Sequence, residues 1–123
     1  MNKMNNLFLA LLLILCYTAF AQIEKPPIYP GCENETIENI ENCFNTSLKN
    51  AVLKNFQLPQ IVVDENYKGV IKVVFLVNKN GNFDVLYVNA MYPELEEEAK
   101  RLFRNLPTIE PATYNGRAID SRY

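Results

Sequence analysis

Few residues in this 123-residue chain have side chains suited to chemistry. It contains no His and no Trp, so the usual general base and the commonest metal ligand are both missing. Its only serines, Ser47 and Ser121, stand outside any nucleophile-elbow pattern. Asp84 and Glu110 are the carboxylates a small hydrolase would use, yet no spacing argues for the pair. Cys32 and Cys43 lack two further ligands at finger-like spacing. Gly69 and Gly81 are isolated glycines, unlike a phosphate-cradling loop. The acidic run Glu94, Glu96, Glu97 and Glu98 is explained by helix polarity and solubility without a cation. No catalytic residue, metal site, cofactor or small-molecule substrate is expected. A function would then rest on the backbone.

The N-terminus carries an address. Lys3, the apolar run from Leu7 to Ala21 and the small residues in Ala19-Phe20-Ala21 predict a signal peptide over residues 1–21. Cleavage is expected between Ala21 and Gln22, delivering the chain across the inner membrane to the periplasm. An uncleaved inner-membrane anchor is the alternative, but the run falls short of the roughly 20 residues a spanning helix needs. The remaining chain, roughly 100 residues long, suffices for one domain. A net charge of −2 without a basic stripe excludes the phosphate-backbone mode of nucleic-acid binding.

Cys32 and Cys43 are the cysteines left after such cleavage. An even count in an exported chain predicts a disulfide. A straight helix between them would hold the Cα atoms about 16 Å apart, against a bridging limit of about 7 Å. Cys32 must therefore lie outside the helix that follows.

Gln22–Gly31 forms a Pro-rich lead-in, unable to be helix or central strand. From Thr36 to Phe56, Ile37, Ile40, Phe44, Leu48, Ala51 and Val52 recur at steps of three and four, which predicts an amphipathic helix capped by Thr36 and ended before Pro59. Ile61-Val62-Val63 is expected as a short strand. Val70–Val77 and Phe83–Asn89 flank the turn signal Asn78–Asn82 and predict a hairpin. A two-residue turn pairs Phe75 with Leu86, whereas a three-residue turn with Gly81 as a bulge pairs it with Val85; the sequence leaves both open. Ile71, Val73, Phe75 and Val77 are assigned to the core, while Val74 and Leu76 on the other face imply partial cover by another segment or a partner. Pro93 opens a second helix, acidic early and basic late, with Leu95, Ala99, Leu102, Phe103 and Leu106 as its apolar stripe. A turn follows at Asn115-Gly116, then the start of a further strand near Ala118 that stops at Tyr123.

In this order "IYPGCE" (28–33), "CF" (43–44), "KGVIKVVFLVNKNGN" (68–82), "YPELEEEAKRLFRNLP" (92–107) and "EPATYNGRAI" (110–119) resemble the C-terminal domain of TonB energy transducers, closest to the flavobacterial type. The resemblance implies an α+β fold with two helices on a small antiparallel sheet, here a hairpin plus an incomplete third strand, over residues 32–123. It implies a partner, the TonB-box peptide of an outer-membrane receptor, bound by strand addition. The pairing edge would then be Ala118, Ile119, Asp120, Ser121, Arg122 and Tyr123, and the paired cysteines Cys32 and Cys43 match that subgroup. Departures from the family are the cleavable leader, the short Pro-rich stretch and the unfinished strand, which also invites a homodimer by strand exchange. The expectation is a periplasmic interaction domain supporting transmembrane transport rather than an autonomous transducer. The alternatives are a secreted adaptor or inhibitor of another envelope protein and a non-functional truncated copy.

Overall fold

The computed structural model describes residues 21–123. The signal peptide reading for positions 1–20 lies outside them. The architecture is α+β: helices α1 (Ile37–Asn55), α2 (Gln60–Asp64) and α3 (Pro93–Arg104) accompany six short strands in two three-stranded antiparallel sheets. The larger sheet has the order β3-β2-β6, built from β2 (Lys72–Val77), β3 (Phe83–Asn89) and β6 (Ser121–Arg122).

Both long helices cover the same face of that sheet. Helix α1 brings Phe44, which is 1% exposed, against Phe83 and Tyr123. Helix α3 packs on β3, with Phe103 against Phe75 at 4.9 Å between ring centroids. The backbone of Thr36 is the N-cap of α1, as expected, but its hydroxyl makes no capping bond; its carbonyl accepts from Asn39 and Ile40. Cys32 and Cys43 are bonded, with Cα atoms 5.9 Å apart and Cys32 in the turn ahead of α1. That geometry meets the bridging requirement without bending the helix.

The hairpin takes the three-residue turn. Val77 faces Phe83 and Phe75 faces Val85. Asn78 N–H donates to the Asn82 carbonyl at 2.9 Å, Gly81 N–H to that of Asn78 at 2.8 Å, and Gly81 has φ +80°. This is a tight turn closed by a left-handed glycine bulge, a position glycine adopts without steric cost. Farther along, the register shifts between Val74 and Phe75 because β3 carries one extra residue, Leu86. The bulge resets the alternation, so Phe83, Val85 and Val88 turn inward while Leu86 and Tyr87 stay 51% and 56% exposed.

Two expectations are corrected. Ile61-Val62-Val63 is not a strand but lies in α2, where Pro59 sets the N-cap and Val62 is the buried contact. β-branched composition yields here to a short turn of helix that lets one valine reach the core. The residues from Ala118 onward are not one strand either. β5 (Arg117–Ala118) returns on β4 (Thr113–Tyr114) through Asn115 and Gly116, both at positive φ, and only then does the chain enter β6. The strand β1 (Glu24–Lys25) pairs with β4, and Ile28 pairs with Glu110. The Pro-rich lead-in is thus an edge strand packed on the body, with Pro27 and Tyr29 buried.

Glu98, within the acidic run, is 8% exposed. Its carboxylate accepts from Arg101 Nε at 2.7 Å and Nη2 at 2.6 Å and from the Gln57 N–H at 2.7 Å, while Arg101 also donates to the Asn55 carbonyl at 3.0 Å. The pair fastens the end of α1 to α3. The hydrogen bonds from Arg101 hold the Glu98 carboxyl below the usual carboxylate range, against the opposing effect of burial. Glu98→Gln is expected to cost about 1–2 kcal/mol at neutral pH, a value tempered by the partial exposure of Arg101. A depressed folded value contributes stability above the ordinary 4.5 and loses it as pH falls through the folded value. Denaturation midpoints of wild type and variant should therefore converge in acid; a gap that persists there would refute the assignment.

Candidate functional site

Residues Ala118–Tyr123, expected as one pairing edge, are divided between the two sheets. Ala118 is occupied with β4, and Ile119 N–H donates to the Ala112 carbonyl at 2.9 Å. Asp120 Oδ1 accepts from the Lys79 N–H at 2.9 Å, pinning the corner to the hairpin turn. Beyond it Ser121 pairs with Val77 and Arg122 with Leu76. Tyr123 and Phe75 exchange both backbone bonds, at 2.9 and 3.0 Å.

Antiparallel geometry then fixes which groups are free. Residues that exchange bonds with β2 turn their N–H and C=O inward, so those of Arg122 point away from the sheet. The Tyr123 side chain belongs to the core, 5.1 Å from Phe44 and 5.3 Å from Phe75 between centroids, and burial pushes its hydroxyl up. Of the six expected residues, Arg122 therefore offers the open backbone, and Asp120 and Tyr123 hold it in position. On β2 the same side of the ladder continues to Val73, whose N–H and C=O find no strand there among the described residues. This lane was not foreseen from the residues; its signal was the length of β2 against that of its third partner.

The opposite edge of the sheet differs. β3 is longer, but its bulge at Leu86 breaks the even spacing an incoming strand would need. Among the described residues no group of three or more His, Cys, Asp or Glu is placed to hold a metal. Asp84 accepts from Asn78 Nδ2 at 2.9 Å, and Glu110 pairs through its backbone with Ile28. A groove of about 620 Å³ runs beside α3, past Leu58, Pro59 and Pro93, but its polar lining includes the Glu98–Arg101 clamp, whose groups are satisfied by each other.

The model of the family described as Gram-negative bacterial TonB protein C-terminal matches residues 54–123. The chain belongs to this family. No curated protein and no solved structure is significantly similar to it. The matched TonB C-terminal segment holds the hairpin, α3 and β4 to β6, hence the whole open edge. The disulfide and most of α1 precede it, yet Phe44 completes its core. The TonB C-terminal family is one of protein-interaction domains of the cell envelope, not of enzymes. No helix among the described residues is long and apolar enough to cross a membrane.

Proposed function

We propose that this chain is a periplasmic TonB-like domain that takes the TonB-box peptide of an outer-membrane receptor as an added strand, in support of transmembrane transport. The observation that carries the proposal is the outward N–H and C=O of Arg122, on a strand anchored on both sides by Asp120 and Tyr123. Main-chain pairing supplies affinity without reactive side chains, which suits a sequence so poor in them. The leader 1–21 is removed between Ala21 and Gln22, both exposed. The lead-in 22–31 then folds against the domain 32–123.

The test is an amide NMR titration of the disulfide-bonded protein with a TonB-box peptide from a receptor of the same cell. Shifts confined to Ala118–Tyr123 and β2 are the expected result. A folded protein whose spectrum ignores the peptide overturns the proposal and favours an adaptor for another envelope protein.

A further inference from the structure

Helices cover one face of the larger sheet; the other is bare among the described residues. Its side chains follow from the register. Asp84, Leu76 and Arg122 stand in one row across β3, β2 and β6, and Tyr87 and Val74 stand in the next. Leu86 and Tyr87 are more than half exposed, and Val74 and Leu76 are only half-buried. The face is therefore an apolar strip with a carboxylate on one flank, a guanidinium on the other and the exposed Lys72 ammonium at the end beyond Val74.

That row is complementary to itself. Rotating a second copy by 180° about an axis along β2 brings the two bare faces together with Leu76 on Leu76. The same rotation exchanges the flanks, so Asp84 of each copy meets Arg122 of the other, twice. An axis across the strands would instead set Asp84 on Asp84 and Arg122 on Arg122, which repels. In the favoured arrangement Tyr87 of one copy lies over the lane beside Val73 and Val74 of the other, where the third strand has no paired residue among those described. Aligned sheets pack about 10 Å apart within about 30°, which the parallel β2 strands satisfy.

We infer that the chain forms a face-to-face homodimer through Val74, Leu76, Leu86 and Tyr87, with reciprocal Asp84–Arg122 pairs at its flanks. The two reciprocal pairs favour a second copy, against the single like-charge approach of Lys72 to itself at the end of the strip. A face three strands wide is small beside the roughly 800 Å² per partner of a standard interface, which places the dimer among weak, concentration-dependent associations. The lateral edges stay free, and each dimer presents the outward backbone of Arg122 on opposite sides. The inference does not depend on peptide binding.

The test is sedimentation of the disulfide-bonded chain from Gln22 to Tyr123 over a wide concentration range. Wild type should show a reversible monomer–dimer equilibrium. Asp84→Lys and Arg122→Glu should each weaken it by about tenfold or more. Mixing those single variants should regenerate a heterodimer, because both cross pairs are then opposite in sign; this outcome also shows that each variant is folded. Leu76→Asp should leave only monomer. A wild type that is monomeric throughout, charge variants that dimerise like wild type, or a mixture that does not re-associate overturns the inference. So does a dimer that survives Leu76→Asp, which would mean exchanged strands.

Discussion

Gly81→Ala is expected to remove about 3 kcal/mol or more of stability, lowering the midpoint of thermal unfolding by about 12 °C or more. Two penalties coincide. The residue sits at φ +80°, where a Cβ is strained. A Cβ there would also run into the backbone carbonyl of Ile109, whose N–H donates to the Gly81 carbonyl at 2.9 Å. Backbone cannot step aside as a side-chain tip can. Gly116, at φ +79° with nothing within 4 Å of a built Cβ, separates the two penalties. Gly116→Ala should cost only about 1 kcal/mol. Denaturant titration of both variants decides the matter: equal losses would mean that the Ile109 contact contributes nothing.

Phe44→Ala is expected to be comparably severe, at about 3–5 kcal/mol. The ring is almost fully buried, edge-on to Tyr29, stacked with Phe83 and 5.1 Å from Tyr123. Its loss opens a cavity whose wall includes the residue anchoring β6. The damage should therefore be local as well as global. Amide exchange at Tyr123 and Phe75, which bond each other, should accelerate more than exchange within α3. Uniform acceleration at both places would show that Phe44 supports the whole core without favouring the edge.

How much of this was legible in the residues depended on the range of the interaction. Helix α3 was plain, because Pro93, the early glutamates and the late arginines specify direction as well as existence. The bridge between Cys32 and Cys43, and the need for Cys32 to precede the helix, followed from counting and reach. The hairpin register was not legible, since Asn80-Gly81 suits either turn; the Ile109 N–H on the Gly81 carbonyl and the Asn78 side chain accepting from Asn80 and Asn82 hold the observed one. Ile61-Val62-Val63 misled because its composition speaks for strands while its flanking proline starts a helix. The pairing of residues 24–25 with 113–114 joins opposite ends of the chain and leaves no local pattern. At the site, the segment expected to form one edge, Ala118–Tyr123, is shared between two sheets. Its division at Asp120 was hidden, because that residue acts through the backbone of Lys79. Glu98 was grouped with its solvated neighbours, although its i,i+3 spacing to Arg101 was visible.

The pairing of the N-terminal stretch also has a mechanical meaning. A handle attached at Gln22 and pulled would load the contacts of Ile23 with Asn115, then those of Glu24 and Lys25 with Tyr114 and Thr113, then that of Ile28 with Glu110. Bonds loaded one after another open like a zipper, each at low force, and release about 20 Å of chain from the six residues involved. Peeling then meets the buried Tyr29 ring, and three residues later the covalent cross-link at Cys32. Pulled from its N-terminus, the domain would thus lengthen by a short lead before the load passes through the cross-link to Cys43 in α1.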